Sequence, residues 1–342
     1  MTTLAVSNFD QVRYPIINNR HTLNEAAESY KDSALRHLHE STVFSRINYY
    51  KNHVEPYFGN SDVTEITTLE IENWINNIAK SGYLTRYKQY HRDYSVDTLN
   101  RLISVIYSIL DQAKTLGWIA NNPAIGIKRY KDMSIPDPNH PKFRFYTYKQ
   151  FSDYIKHAKD PKYKLIFEIL FFMGLRSGEL RALAWEDIDL SKKLITIRKT
   201  MNVDKTFDGK EKATLCKTKR SNRILSIPDI IHKELIDYYK EQSVKEGFKG
   251  TWYTFGDTIS LHPKYLYRNN VYISRRAKME RINIHGFRHS CVSYLKSKGV
   301  PAIEIAAYIG DREDVVNKIY SHVDSRYIYK ISDLINKEYK YS

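Results

Sequence analysis

The stretch Ile284-His-Gly-Phe-Arg-His289 decides how the rest of this chain is interpreted. It places the imidazole of His285 three residues before the guanidinium of Arg288. Because side chains three or four positions apart lie on one face of a helix, a helix here presents both groups together. Downstream, Val315-Val-Asn-Lys-Ile-Tyr-Ser-His-Val323 adds a tyrosine and a histidine. Arginine, histidine and tyrosine side chains brought together in a basic chain indicate phosphate chemistry.

The composition of the chain indicates a polyanionic partner. Its 342 residues contain 54 Lys and Arg against 39 Asp and Glu, a formal net charge of +15. Such an excess favours nucleic acid as the partner, while plain solubility or binding to an anionic membrane surface are the alternatives. The hydrophobic share of 42% is sufficient for a core, and the length predicts two domains, with three as the alternative.

Cysteine use and hydropathy predict an intracellular protein. No apolar run in the sequence reaches the roughly 20 residues that a membrane span needs. The start, Met1-Thr-Thr-Leu-Ala-Val6, lacks the charged residues and the apolar run of a signal peptide. The two cysteines, Cys216 and Cys291, have neither metal-site spacing nor a disulfide framework. We therefore expect a cytoplasmic protein with no membrane association.

Helix signals dominate the first part of the chain. Thr22-Leu-Asn-Glu25 and Thr67-Thr-Leu-Glu70 each predict a capping box that opens a helix. A further helix is expected from Thr42 to about Tyr57, and Ser95 is expected to cap a helix with one apolar face. These signals assign an all-helical domain to residues 22–130.

Two segments flank or interrupt this helical domain. Residues 1–21 are predicted to be an N-terminal arm, with disorder left open. Residues 83–94 are rich in basic and aromatic side chains and predict a loop, which either contacts nucleic acid or is merely solvated. Residues 131–146 contain three prolines, which suppress regular structure, so we place the linker between two domains there.

The second domain, residues 147–324, mixes helices with strands. An apolar helix is expected to end at Gly174, and Ser177 is expected to cap the next helix, which puts Arg176 in a tight turn. Residues 194–200 and 223–227 alternate like the strands of a small antiparallel sheet. Pairing of Arg176 with a nearby glutamate, Glu179, is the structural alternative to a functional role.

Together these motifs resemble the tyrosine recombinase (phage integrase) family. Four motifs in one order carry the resemblance over about residues 22–325: Gly174-Leu-Arg176-Ser-Gly-Glu179-Leu180, Lys217-Thr-Lys219, His285-Gly-Phe-Arg288-His289 and Tyr320-Ser-His322. The resemblance implies a mainly α fold with a small antiparallel β-sheet. Its first part is an all-helical SAM-like core-binding domain, and its second an α+β catalytic domain. Residues 325–342 become a C-terminal segment that is exchanged between protomers.

The resemblance also implies a reaction and roles for individual residues. It implies a site-specific recombinase, the integrase of a phage or mobile element, which cuts and rejoins DNA through a covalent 3′-phosphotyrosine without metal or ATP. Tyr320 is then the nucleophile, His285 its assisting base and Lys217 the general acid for the departing 5′-hydroxyl. Arg176 and Arg288 meet the charge of the phosphorane-like transition state. A supporting role, orienting Arg176, falls to Glu179.

One position departs from the family. A histidine, sometimes a tryptophan, usually stands nine residues before the tyrosine, whereas this chain has Asp311. An ionised carboxylate cannot donate a hydrogen bond to phosphate and repels it. We expect Asp311 to bind a neighbouring cation or a backbone amide instead. His289 and His322 are alternative donors to the phosphate, although structural roles are favoured for both.

The spacing of His285 and His289, four residues apart, also matches a zinc-binding helix. The intervening Gly-Phe-Arg lacks the glutamate of a metalloprotease, and an arginine between two ligands repels a cation. A metal site is therefore disfavoured, and we expect neither a metal nor a cofactor.

The resemblance implies partners and leaves alternatives. The implied partners are double-stranded DNA attachment sites and three further copies of the chain, which form a homotetramer at synapsis in the cytoplasm of a bacterial host. A directionality factor or a host DNA-bending protein is a further candidate. The alternatives are a non-cleaving DNA-binding accessory protein of the same fold and a type IB topoisomerase that relaxes DNA with the same residues.

Overall fold

The computed structural model describes residues 20–84, 90–91, 94–132, 144–202, 207, 212–215 and 221–319. The chain divides into two compact units, with the boundary between Ser134 and Ile135. In the described part of the chain, no helix combines the length and the apolar character needed to cross a membrane.

The first unit is a helical bundle in which three helices start at caps that the sequence predicted. At the first helix, the Thr22 hydroxyl accepts from the backbone N–H of Glu25 at 3.3 Å, and the Glu25 carboxylate accepts from the backbone N–H of Thr22 at 2.7 Å. The same reciprocal pair forms between Thr67 and Glu70, so both capping boxes are confirmed. The helices are α1 (Leu23–Leu35), α2 (Glu40–Tyr49), α3 (Glu55–Phe58), α4 (Thr68–Ser81) and α5 (Val96–Thr115), with a π-helical turn over Tyr50–Val54.

The apolar face of α5 forms the centre of this unit. Leu102, Ile106 and Ile109 are fully buried and pack in one cluster with Leu23 and Ala26 of α1. Ser95 caps α5 as expected, since its hydroxyl accepts from the backbone N–H of Thr98.

Two sequence expectations for the first unit were wrong in detail. The second helix begins at Glu40 rather than Thr42 and reaches Phe58 through the π-helical turn. The segment predicted to be a loop contains a short antiparallel pair, β1 (Tyr83–Leu84) with β2 (Tyr90–His91). Strands of two residues are too short to show a two-residue period, so the sequence pattern could not reveal them.

The second unit combines helices with short antiparallel strands, which confirms the predicted fold class. Strands β3, β4 and β7 form one sheet in that order, and β5 pairs with β6 in a second. The segment predicted as a single strand over 194–200 is therefore two strands in different sheets. The strands are β3 (Ile188–Asp189), β4 (Leu194–Ile197), β5 (Lys199–Asn202), β6 (Lys212–Leu215) and β7 (Arg223–Ser226). The helices are α6 (Tyr148–Ile155), α7 (Pro161–Phe172), α8 (Ser177–Ala182), α9 (Asp229–Ser243), α10 (Pro263–Arg276), α11 (Ile284–Ser297), α12 (Ala302–Ile309) and α13 (Glu313–Ile319).

An aromatic core holds α11 against α6 and α7. Phe287 on α11 is fully buried, with its ring centroid 5.0 Å from that of Phe167 and 5.5 Å from that of Tyr154. Phe151 stacks on Phe171 with ring centroids 3.9 Å apart. Because Phe287 precedes Arg288 in sequence, this packing also fixes the direction in which the arginine leaves the helix.

Gly174 ends α7 in a conformation that few other residues adopt. Its φ is +61°, and a Cβ built on it would lie 2.9 Å from Cγ2 of Ile309 and 3.1 Å from Sγ of Cys291. The turn between α7 and α8 thus depends on a residue with no side chain, which lets α7 approach α11 and α12 closely.

We predict that Gly174→Ala lowers the free energy of unfolding by about 2 to 5 kcal/mol, the sum of left-handed backbone strain and overpacking. The matched control is Gly299→Ala, because Gly299 has φ +85° but nothing within 4 Å of a built Cβ. Backbone strain alone should cost the control about 1 to 2 kcal/mol. Urea unfolding of the full chain measures both losses. Equal losses in the two variants would show that the close approach at Gly174 is not tight.

Candidate active site

Arg176 stands at the start of α8, at the end of the turn that Gly174 opens. Its Nη1 donates to Oε1 of Glu179 at 2.8 Å, and its Nη2 donates to the Gly310 carbonyl at 2.9 Å. The prediction that Ser177 caps α8 was wrong, because Arg176 occupies the N-cap position and Ser177 is the first helical residue. The cap is made from within the helix, since Oε2 of Glu179 accepts from the backbone N–H of Arg176 at 3.0 Å.

Arg288 lies deeper, with only 2% of its side chain exposed. Its Nη1 donates to the carbonyls of Gly174 and Ile309, each at 2.7 Å. These carbonyls lie at the C-terminal ends of α7 and α12, where the helix dipoles concentrate negative potential. Burial first, and then the charge of Arg176, lower the pKa of Arg288 to about 10, so its guanidinium stays charged at neutral pH.

Asp311 joins the two arginines. Its Oδ2 accepts from Nη2 of Arg176 at 2.9 Å and from Nη2 of Arg288 at 2.8 Å. The carboxylate follows Gly310, which ends α12 in the left-handed conformation with φ +69°. Burial acts to raise the pKa of Asp311, but the hydrogen bond and charge of Arg288 outweigh it and hold that pKa below its ordinary value. Asp311 is therefore ionised at neutral pH.

A third arginine, which the sequence analysis missed as a site residue, completes the cluster. Arg223 on β7 donates from Nη2 to Oε2 of Glu179 at 3.0 Å and from Nη1 to Oε1 at 3.3 Å. Its Nε donates to the carbonyl of Tyr308 at 2.9 Å, and its side chain is only 7% exposed. A signal was present in the strand pattern, because the alternation of β7 puts Arg223 on the same face as the buried Leu225 and leaves Ile224 exposed.

Glu179 is the carboxylate through which Arg223 reaches Arg176. Its side chain is 1% exposed and accepts from both guanidiniums. Burial acts to raise the pKa of Glu179, but the hydrogen bond and charge of Arg223, followed by Arg176, lower it overall. The supporting role expected for Glu179 toward Arg176 thus has a direct geometric counterpart.

His285 and His289 lie on neighbouring turns of α11, with ring centroids 4.7 Å apart and ring planes at 85°. Although the side chain of His285 reaches the surface, the protein around it, followed by the charges of Arg288 and Arg176, lowers its pKa. Burial, then His285 and Arg288, lower the pKa of His289 to about 4. Both imidazoles are therefore neutral at neutral pH.

The other predicted site residues, Lys217, Tyr320 and His322, lie outside the described residues, as do the segments 1–19 and 325–342. Among the residues described, no group of three or more His, Cys, Asp and Glu side chains is arranged to hold a metal ion. The described part of the site thus consists of three arginines, two carboxylates and two histidines.

The geometry of this cluster can bind a tetrahedral oxyanion. Arg176 and Arg288 direct one nitrogen each toward a single oxygen position, which Asp311 occupies. Two guanidiniums that converge on one oxygen match the non-bridging oxygens of a phosphodiester. The neutral imidazole of His285 beside them is suited to accept a proton.

Comparison with known proteins finds relatives over most of the chain. The sequence model of the phage integrase family matches residues 143–326, and that of its N-terminal SAM-like domain matches residues 22–79. The ICEBs1 integrase of Bacillus subtilis (strain 168) is 25% identical over 87% of this chain and 81% of its own length. A XerC-like tyrosine recombinase of Caldanaerobacter subterraneus is 28% identical over 88% of this chain and 79% of its own. The Tn1549 transposon integrase, solved with a circular intermediate DNA, shares the fold with a TM-score of 0.67 at 14% identity, covering 90% of this chain and 99% of that one.

We predict that Arg223→Met lowers the free energy of unfolding by about 3 to 5 kcal/mol at neutral pH, because it leaves the buried charge of Glu179 with one guanidinium fewer. Adding Glu179→Gln to this variant should restore part of the loss, since the uncompensated charge is then gone. Urea unfolding followed by tryptophan fluorescence gives the free energy of unfolding of the wild type, of Arg223→Met, of Glu179→Gln and of the double variant.

The same cycle has a pH signature. Because the pKa of Glu179 is below its ordinary 4.5 in the folded chain, its contribution to stability is complete above that pH. The contribution is lost as the pH falls through the folded pKa, and this acid loss should shrink in Arg223→Met. The coupling would be contradicted if Arg223→Met and Glu179→Gln changed the free energy of unfolding additively and if Arg223→Met lost as much stability at acid pH as the wild type.

Proposed function

This chain belongs to the phage integrase family and is a tyrosine site-specific recombinase, and from that premise we propose how its residues carry out the reaction. The observation that carries the proposal is the convergence of Arg176 and Arg288 on one oxygen, at 2.9 and 2.8 Å. In the structure that oxygen is Oδ2 of Asp311, and in the reaction a non-bridging oxygen of the scissile phosphate takes its position. The two guanidiniums stabilise the extra negative charge that develops at phosphorus in the transition state.

The reaction we propose is a transesterification. The phenolic oxygen of Tyr320 forms a bond to phosphorus, and the bond from phosphorus to the 5′-oxygen breaks, which leaves a 3′-phosphotyrosine. His285 accepts the phenolic proton, in accord with its lowered pKa. Lys217 gives a proton to the departing 5′-oxygen. The reverse of these steps rejoins strands, and because the phosphotyrosine keeps the bond energy, neither ATP nor a metal is consumed.

The described supports of these groups fit the proposed roles. Glu179 and Arg223 hold Arg176 from behind, and two helix-end carbonyls hold Arg288. A guanidinium fixed before substrate binds needs no reorganisation in the transition state, which is where preorganised charge contributes most. Glu179 and Arg223 are thus positioning residues, whereas Arg176 and Arg288 contact the phosphate.

The proposed partners follow from the family and from the charge of the chain. We propose double-stranded attachment-site DNA as the substrate, bound by both units, and a homotetramer at synapsis. The net charge of +15 and the DNA in the structure of the Tn1549 integrase support DNA as the partner. A directionality factor or a host DNA-bending protein is proposed as an accessory. We further propose residues 22–130 as the core-site-binding domain and residues 325–342 as the exchanged segment of a bacterial cytoplasmic enzyme.

We predict that Tyr320→Phe keeps DNA binding and abolishes the covalent adduct with nicked attachment-site DNA in EDTA, because the nucleophilic oxygen is removed. The control is Tyr308→Phe, since Tyr308 is a partly buried tyrosine beside the cluster whose hydroxyl donates to the Phe172 carbonyl at 3.3 Å. Denaturing gel electrophoresis detects the adduct, and a gel shift reports binding. An adduct that persists in Tyr320→Phe would remove Tyr320 from its role.

We predict that Lys217→Ala slows single-turnover cleavage by about 10²- to 10⁴-fold, the usual contribution of a general acid. A substrate with sulfur in place of the 5′-bridging oxygen should abolish most of this difference, because a thiolate leaves without protonation. Arg176→Ala is the control, since loss of a phosphate contact should slow both substrates alike. Equal slowing of both substrates by Lys217→Ala would assign the general acid elsewhere.

A further inference from the structure

The two phosphate-binding arginines already share an anion within the protein. Oδ2 of Asp311 is the acceptor for Nη2 of Arg176 and for Nη2 of Arg288, while Nη1 of Arg288 is committed to backbone carbonyls. Nη1 of Arg176 is committed to Glu179. The nitrogens turned toward Asp311 are therefore the donors that converge on the proposed phosphate position, and the carboxylate oxygen lies where a phosphate oxygen has to lie.

The contact of Asp311 with the two arginines changes the net charge of the cluster. Three guanidiniums, of Arg176, Arg223 and Arg288, face two carboxylates, of Glu179 and Asp311, which leaves one net positive charge. Without Asp311 the cluster has two. A phosphodiester carries one negative charge, so while the carboxylate remains in the cluster it neutralises a positive charge that the docking phosphate would otherwise meet.

The Asp311 side chain lies near the surface, where its carboxylate can move away from the two arginines. Its side chain is 22% exposed and Arg176 is 32% exposed, whereas Arg288 is 2% exposed. The backbone at Asp311 is held separately, because its N–H donates to the Ala306 carbonyl at 2.9 Å. Turning the side chain outward breaks the contact of its Oδ1 with the backbone N–H of Arg312 at 3.1 Å, but it leaves the end of α12 intact. Of the nearby charged side chains, Arg312 is exposed and offers an alternative partner, although it is paired with Asp314.

We propose that Asp311 is a built-in counter-ion, which occupies the phosphate-oxygen position in the free enzyme and is displaced when the scissile phosphate docks. This inference rests on the proposed roles of Arg176 and Arg288. It makes Asp311 a competitor of the phosphate rather than a support of the arginines. The two roles predict opposite changes in phosphate affinity. Removing a competitor tightens phosphate binding, whereas removing a support weakens it.

The decisive variant is Asp311→Asn, because the amide oxygen still accepts from both arginines while the negative charge is gone. The probe is inorganic phosphate, titrated against the full chain at constant ionic strength. The shift of the thermal unfolding midpoint with phosphate concentration gives the dissociation constant. We expect Asp311→Asn to tighten phosphate binding by about tenfold or more, as removal of a unit charge at contact distance requires.

The matched control is Asp314→Asn. It makes the same change of charge three residues away, at an exposed carboxylate that pairs with Arg312. We expect it to change phosphate affinity by less than about twofold, because an exposed pair is screened by solvent. Adding Arg176→Gln to Asp311→Asn should abolish the gain, which assigns the bound phosphate to this cleft.

A second readout is the single-turnover rate of adduct formation at saturating DNA. Asp311→Asn and Asp311→His should both form the adduct faster than the wild type, since both remove the negative charge. Weaker phosphate binding and slower cleavage in Asp311→Asn, in a chain whose unfolding midpoint is unchanged, would overturn the proposal and make Asp311 a support. Because the phosphate titration needs no cleavage, it stands or falls separately from the proposed recombinase reaction.

Discussion

The burial of the Arg288 guanidinium is the constraint on which the second unit depends. A charge that is almost completely removed from water must be met by fixed partners, because an unpaired buried ion costs several kcal/mol. Here the fixed partners are the backbone carbonyls of Gly174 and Ile309, and the carboxylate of Asp311 is a third, movable partner. Two helix ends must therefore reach the same point. The left-handed glycines at the ends of α7 and α12 are the means by which the chain turns there.

From Arg288 an alternating series of charges extends to β7. Asp311 links Arg288 to Arg176, and Glu179 links Arg176 to Arg223. Each member lies on a different element or at the end of one, so the series fixes α8, α11, α12 and β7 relative to one another. The free-energy cost of burying these charges arises during folding, not during the reaction. The arginines are consequently in place before any phosphate arrives, which is the condition for electrostatic catalysis.

The parts of this site that depend on local rules could be predicted from the sequence. The capping boxes at Thr22 and Thr67 involve neighbours three residues apart, and the turn at Gly174 is marked by the glycine itself. The spacing within α11 likewise put His285 and Arg288 on one helix.

The parts that depend on partners distant in sequence could not be predicted. Arg223 contacts Glu179 from 44 residues away in sequence, and the sequence around Arg223 does not indicate which residue it contacts. Asp311 raises a subtler difficulty. Its chemistry ruled out donation to phosphate, and a neighbouring cation was expected, but only the geometry shows that there are two such cations, Arg176 and Arg288.

A counter-ion at this position separates binding DNA from cutting it. The affinity of a basic protein for DNA comes from several phosphate contacts, and one carboxylate changes that sum little. In the proposed reaction, docking of the scissile phosphate between Arg176 and Arg288 is a later step, and the carboxylate opposes that step alone. Its cost appears before the transition state, so it lowers the fraction of bound enzyme that is ready to react. An enzyme that must find two sites before it exchanges strands can thus remain bound without cleaving, held back by one displaceable side chain of its own.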